Sequence, residues 1–495
     1  MPREVLILKN FKGIDLRNEL WPQAYARWAQ IVDVYGLQNN QQHRSFPGVI
    51  QSMLRMNADT EAAATNDVTD LVHHFERYVD STNGNEWALS TGGASPRLYA
   101  KTSGGTWTMR RSSADINAIG AGSGGLLAHA GSLFVSQDGR VSRWDGATWT
   151  AAFGTFTLST ASPRKGVNFA GNGFIINNRY VSKIDSTPTF TAAALTLPVD
   201  VTLRDAIVLG DRIILSGDNG VRSYLYIWDG TSTTWESSYV LEDEDEAPAL
   251  AIQAGRLFAV AHSTTALRPA MTKVYIFNGS SFDLFQRLPI DPGANFQTGG
   301  IKTAWGGILI KANFQSSAID YGVQAGTAGV WMLNRNNISD PFQLTLAFIV
   351  GGGVTTTSIG GIGVFGSRIY VGSTNSTTFE INSTDTDGDE SVSGIWESLP
   401  IDAGDDVSEK IWHGIELEIE GTLSATRTVL VKYKLNNAAA FTNLKTMTAN
   451  SAIGQFIPIN RKGRLLEVGF ELGVAGTIAT SVRIHAARIY FSRTT

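Results

Sequence analysis

A short pattern returns six times along this chain: a glycine, a polar or small residue, then two or three apolar residues in a row. It is found as Ala130-Gly131-Ser132-Leu133-Phe134-Val135, Ala170-Gly171-Asn172-Gly173-Phe174-Ile175-Ile176 and Leu209-Gly210-Asp211-Arg212-Ile213-Ile214-Leu215. It returns as Ala254-Gly255-Arg256-Leu257-Phe258-Ala259-Val260, Trp305-Gly306-Gly307-Ile308-Leu309-Ile310 and Phe365-Gly366-Ser367-Arg368-Ile369-Tyr370-Val371. From Gly131 the glycines are spaced 40, 39, 45, 51 and 60 residues apart. A four-stranded sheet needs about 40 to 50 residues, so the spacing predicts radial repetition of small sheets, with insertions in the later ones.

The stretch Ala130 to Thr150 shows the unit. Leu133 to Ser136 reads as a strand, Asp138-Gly139 as a turn, Val141 to Trp144 as the returning strand, Asp145-Gly146 as a second turn and Thr148 to Thr150 as the start of a third strand. Arg143-Trp144-Asp145-Gly146 leading to Trp149 is matched by Ile227-Trp228-Asp229-Gly230 leading to Trp235, and by Ile276-Phe277-Asn278-Gly279 leading to Phe282. Asp-Gly and Asn-Gly supply the positive backbone angles of tight hairpins, and the flanking aromatics are expected to pack between neighbouring sheets. The first unit runs through Val68 to His74, Glu86 to Ser90, Leu98 to Lys101 and Thr106 to Met109, and the second from about Asn117 to Phe153. The reading is an all-β chain with a β-propeller over residues 66–392, of seven blades, six or eight also fitting the count.

After Asp385 the pattern changes. Ile415, Leu417 and Ile419 alternate with Glu416, Glu418 and Glu420, and Leu466, Val468, Phe470 and Leu472 alternate with Glu467, Gly469 and Glu471. A clean period of two marks an antiparallel sheet with one wet face. Residues 393–495 are therefore expected to form an antiparallel β-sandwich. In its last strand Val482 and Ile484 share one parity and Ile489 and Phe491 the other, which predicts a β-bulge near Ala486-Ala487. Residues 1–65 show scattered aromatics and no closed pattern, and read as an irregular arm across other surfaces or a loop-rich cap on the same subunit.

Little in the sequence points to chemistry. Without cysteine, thiolate catalysis, disulfides and Cys-ligated metals are excluded. A net charge of −5 with no basic stripe leaves no usual footprint for nucleic-acid binding. No apolar run approaches the length of a membrane span, and Val5 to Leu8 is too brief for a signal segment. The expectation is a soluble protein made in the cytoplasm and exported only as part of something else. Ser136-Gln137-Asp138-Gly139 with Trp144 approaches a sialidase Asp-box, but its glycine follows the aspartate directly and its tryptophan falls late, so a plain hairpin is expected. The acidic runs Glu242 to Glu246 and Asp385 to Glu390 read as solvated loops. The histidines lack metal-ligand spacing, and His413 shares the parity of Ile411 and Ile415, which predicts a hydrogen-bonded inward residue. Gly351-Gly352-Gly353 and Gly360-Gly361 read as turns or connections. No catalytic, cofactor-binding or metal-ligating residue is assigned.

Several segments nevertheless form a combination. Asn10-Phe11-Lys12-Gly13-Ile14-Asp15, Arg44-Ser45-Phe46-Pro47-Gly48, and Leu98-Tyr99-Ala100-Lys101 to Thr106-Trp107-Thr108 resemble the start of tail-associated propeller proteins of bacteriophages. Gly463-Arg464-Leu465-Leu466 and Arg488-Ile489-Tyr490-Phe491 resemble their end. The resemblance implies a non-enzymatic virion component, nozzle-like or hub-like, in a homo-oligomeric ring commonly of six copies. Such a ring meets other phage tail proteins and surrounds a channel through which DNA passes only as cargo. Phe11, Trp21, Tyr25, Trp28 and Phe46 are then the interface candidates, because aromatics on an irregular arm gain little unless a partner buries them. The alternative is a propeller reading a cell-surface glycan or receptor through funnel aromatics such as Trp228 and Trp331, and after it a glycosidase with paired carboxylates. An extracellular bacterial propeller is disfavoured by the lack of a signal segment.

Overall fold

The computed structural model describes residues 3–9, 31–32, 34–35, 50–52, 54–59, 68–91, 95–101, 105–117, 119–120, 122–158, 162–241, 246–263, 271–288, 296–304, 306–312, 329–334, 342–350, 358–375, 378–384, 393–398, 400–405, 407–436, 438–473 and 482–494. Every regular element among them is a strand. Phe11, Trp21, Tyr25, Trp28 and Phe46 lie outside the described residues, as do Glu242 to Asp245, Asp385 to Glu390 and Gly351-Gly352-Gly353.

Seven antiparallel blades follow in chain order. Blade 1 is Val72–Asp80, Gly84–Ser90, Leu98–Lys101 and Thr108–Arg111, and blade 2 is Gly125–His129, Ser132–Ser136, Arg140–Trp144 and Trp149–Thr155. Blades 3, 4 and 5 span residues 166–196, 202–240 and 249–288 in the same four-strand order. Blade 6 spans 301–350, and blade 7 takes Ser358–Phe365, Arg368–Asn375 and Thr378–Ser383. The first strand of each blade is innermost and meets the first strands of both neighbours, closing the ring between blades 7 and 1.

The repeated glycine is the hairpin between the first and second strands. Ala130 and Gly131, Ala170 and Gly171, and Ala254 and Gly255 all have positive φ, which is the type I′ geometry that matches the twist of the flanking strands. The apolar run after each glycine is the second strand, and it is buried on both faces. Leu133 and Val135 pack toward blade 1 while Phe134 packs toward blade 3. In the same way Phe174 packs toward blade 4 and Ile175 toward blade 2. Each pair of adjacent blades thus shares its own core, and a strand between two cores has no wet parity.

The fourth strand of blade 7 comes from the other end of the chain. Leu54–Ala58 pairs antiparallel with Thr378–Ser383, with Asn57 opposite Ser383 and Ala58 opposite Asn382. Its other side runs parallel to the outer strand of blade 6, so blades 6 and 7 join into one eight-stranded sheet. Asp59, directly after this strand, is buried and pairs with the buried Lys101 of blade 1, and it accepts a hydrogen bond from Trp107 Nε1 at 3.0 Å. Tyr370 of blade 7 donates to Glu86 of blade 1 at 2.8 Å across the same seam. Gly360 and Gly361, read from sequence as a connection, lie in the innermost strand of blade 7. A Cβ there would stand 2.0 Å from the Val72 carbonyl oxygen and 1.9 Å from that of His73, so this seam admits only glycine.

The sandwich has two sheets. One is Lys410–Glu420, Phe456–Gly463 and Arg483–Arg493, and the other is Ser393–Glu397, Thr428–Leu435, Thr442–Met447 and Leu466–Gly473. Ile415, Leu417, Val429, Val431, Val468 and Phe470 fill the space between them. The bulge expected near Ala486 is present: Glu418 faces Ala486 while Ile419 faces Ile484, leaving His485 unmatched. A second bulge between Trp412 and Gly414 was not legible. It turns Trp412 inward and His413 outward, where His413 Nε2 meets Ser492 Oγ at 2.8 Å. His413 is hydrogen-bonded but not inward, because the extra residue reverses the parity that Ile415 sets.

The first 65 residues differ from the reading of an irregular arm wherever they are described. Glu4–Lys9 pairs along Arg483–Arg493, Ile31–Val32 pairs with Ser393–Glu397, and Ile50–Ser52 extends the same edge as Glu4–Lys9. Strands of two to six residues leave almost no periodic signal, which is why the sequence did not disclose them.

Candidate functional site

The inner strands converge on a central cavity of about 50 Å³, room for a few water molecules. Its walls carry His73, His74 and Glu76 from the inner strand of blade 1, Lys165 from the entry to blade 3, Arg204 from blade 4 and Lys302 from blade 6. An inner strand has one side facing this axis, so polar residues placed there among apolar neighbours are forced together.

Most of these groups are already committed. Lys165 Nζ lies 2.5 Å from Asp205 Oδ1, and the two oxygens of Asp205 also accept the backbone N–H groups of Ala206 and Leu250, each at 2.7 Å. Arg204 Nε pairs with Asp218 at 3.0 Å. His74 Nε2 meets the Ser123 carbonyl at 3.1 Å. Burial pulls the His74 imidazole down to about 4 and pushes the Glu76 carboxyl up to about 7, Lys302 opposing the latter. Burial likewise lowers His73 and Lys302. At neutral pH both histidines are uncharged and Glu76 is close to half protonated.

A propeller glycosidase needs two carboxyl groups flanking a sugar in this funnel. Glu76 has the raised pKa of a general acid. The other carboxylate that acts on Lys302, that of Asp205, is saturated by a lysine and two backbone donors, and the cavity does not hold a sugar ring. Among the described residues no group of three His, Asp or Glu side chains could hold a metal ion.

The residues singled out from sequence sit elsewhere. Trp228 and Trp331 are 0% and 1% exposed and face no funnel. Trp228 packs edge-on against Phe174 of blade 3 with ring centroids 5.3 Å apart, and Trp331 belongs to the core between blades 5 and 6. Trp228 sits beside the Asp229-Gly230 hairpin and packs between blades, as expected of the repeated aromatics, whereas Trp331 lies within the strand Gly329–Asn334; burial removes both as sugar platforms. Asp138 accepts from Arg164 Nη1 at 3.2 Å, and the fully buried Arg164 also donates to the Gln137 carbonyl at 2.6 Å. The Asp-box-like turn is thus a tie between blades 2 and 3. Sequence reasoning missed Glu76, Lys165 and Lys302; the signal available was a titratable residue in or just before the first strand of a repeat.

No family model matches the chain, and no curated protein matches it. Solved structures similar to it include virginiamycin B lyase from Staphylococcus aureus, at 12% identity and a TM-score of 0.41, covering 64% of this chain and 97% of that one. The exo-β-1,3-galactanase from Phanerochaete chrysosporium with galactose shows 14% identity and a TM-score of 0.30, covering 89% of this chain and 100% of that one. The computationally designed Ika8 protein shows 9% identity and a TM-score of 0.37, covering 66% and 99%. At these scores the likeness carries no argument, and the propeller rests on its own strand order. Among the described residues no helix is long and apolar enough to cross a membrane.

Proposed function

We propose that this chain is a non-enzymatic structural protein of a bacteriophage tail, a nozzle-like or hub-like ring component in which propeller and sandwich form one building block. One observation carries this reading beyond the resemblance of its terminal segments. Glu4–Lys9 is an edge of the sandwich that pairs only with Arg483–Arg493 among the described strands, and it presents Val5 and Ile7 outward at 47% and 52% exposure. Exposed aliphatic edges are pairing templates that proteins normally cover or charge. A second copy of the chain covering this edge would bury Val5 and Ile7, which are exposed among the described residues. DNA passes as cargo through the channel of the ring, because the propeller's own axis is lined by side chains around a cavity of only about 50 Å³.

The test is native mass measurement of the purified chain and of a Val5→Arg, Ile7→Arg double variant. Both positions point outward, so the variant keeps the sandwich intact, whereas deleting the N-terminal segment would remove strands from it. The reading expects a closed oligomer, six copies by the resemblance, that the variant converts to monomers. A parent chain that stays monomeric at high concentration contradicts it.

A further inference from the structure

A second cavity, of about 230 Å³, opens between blades 1 and 2, on the side of the hairpins near Asn83 and Asp145, and is unrelated to the ring contact. Its walls are Trp87, Leu98, Met109, Trp144 and Trp149, with Asn83, Arg110 and Arg111 supplying the polar groups. The Arg111 guanidinium carbon lies 5.1 Å from the ring centroid of Trp144 and 5.4 Å from that of Trp149. It makes no hydrogen bond or ion pair among the described residues. Arg110 donates from Nη2 to the Asn83 carbonyl at 3.3 Å. The Nε atoms of Arg110 and Arg111 and Nε1 of Trp149 are buried without a partner.

The Asp80 carboxylate beside the cleft is spent. Asp80 accepts from Trp144 Nε1 at 2.8 Å, from the Thr82 and Asn83 backbone at 2.9 and 3.0 Å, and from Asn83 Nδ2 at 2.9 Å. What remains is a cleft with two guanidinium charges, three unused N–H donors and tryptophan walls. The Asn83 side-chain oxygen is the polar acceptor left open. Natural structures rarely leave buried donors unmatched.

We propose that this cleft binds an acidic sugar, a single hexuronic-acid-type ring. Its carboxylate takes the fork of Arg111, whose planar donors match a carboxylate bidentately and lie beside Trp144 and Trp149. Its apolar ring face lies on a tryptophan wall, and a ring hydroxyl donates to Asn83 Oδ1. The volume admits one ring, so recognition is of a terminal or side-branch residue.

Saturation-transfer NMR with tryptophan fluorescence tests the site, using glucuronate, glucose and benzoate as probes. Glucuronate is expected to bind in the millimolar range or tighter, with glucose and benzoate each about tenfold weaker, the size of a lost charge-assisted hydrogen bond. Arg111→Gln should weaken glucuronate by a similar factor, and Arg111→Lys, which keeps the charge and the fold but lacks the fork, should weaken it too. The proposal is overturned if glucuronate does not bind. It is equally overturned if glucose or benzoate binds as well as glucuronate, or if a folded Arg111 variant binds like the parent.

Discussion

The propeller and the sandwich are built from the same kind of strand but bury it differently. A second strand in a blade lies between two cores, so its apolar residues run consecutively, as in Ile213, Ile214 and Leu215, all buried. A sandwich strand has one core, so Ile415, Leu417 and Ile419 are buried while Glu418 and Glu420 are exposed. The outer face of the sandwich carries ion pairs in the open, such as Arg488 with Glu416 at 3.1 Å and with Glu418 at 3.0 Å. The propeller hides the ion pair of Asp59 and Lys101 inside the closing seam. Chemistry that is cheap on one body is structural on the other.

The largest effect should come from that seam. Asp59→Ala leaves Lys101 buried without its partner and is expected to destabilise the propeller by about 3 to 5 kcal/mol in chemical unfolding. A loss under about 1 kcal/mol would mean the seam is wet. Next comes the contrast of parity. Phe174→Lys and Ile175→Lys should both abolish folding, because each side of that strand faces a core, whereas Leu417→Lys should do so and Glu418→Lys should not. Circular dichroism of the four variants decides it, and a tolerated lysine at either blade position would break the two-core description.

A smaller effect concerns pH. Glu76, held near 7 instead of its ordinary 4.5, binds its proton more tightly in the folded state, so stability falls as pH rises from 4.5 to 7. His74, held near 4 instead of 6.5, binds its proton less tightly when folded, so stability rises from pH 4 to 6.5. The slopes of Glu76 and His74 oppose one another, and His73, also lowered by burial, adds to the histidine slope. Glu76→Gln should unmask the histidine slope and be more stable than the parent above pH 7, by about 3 kcal/mol. A variant less stable than the parent at pH 8 would show that the Glu76 charge is compensated there. The smallest effect is at the sandwich face, where Arg488→Ala should cost about 1 kcal/mol or less and fade with added salt.

Local signals carried much of the fold. The hairpin glycines, the consecutive apolar strands and the alternating sandwich strands are properties of a few adjacent residues, and so is the bulge at His485. What stayed hidden depends on partners far along the chain. Leu54–Ala58 gains its meaning from Ser383, Gly360 from the backbone of Val72, and the outward His413 from a bulge that only the neighbouring strands reveal. Trp228, as a repeated hairpin aromatic, reads as interblade packing, and burial confirms that place and excludes the funnel role for it and for Trp331 alike. The charged cavity was illegible because its members come from four blades, three residues from blade 1 and one from each of the others.

Closure of the ring by Leu54–Ala58 is the claim on which the rest depends, and the absence of native cysteine makes it directly measurable. Asn57→Cys with Ser383→Cys places a single cysteine pair at opposed register positions. Mild oxidation should give one disulfide within each chain, read by mass spectrometry and by faster migration on a non-reducing gel, with folding unchanged. Cysteines that stay reduced in the folded protein, or that pair only between chains, would contradict the account.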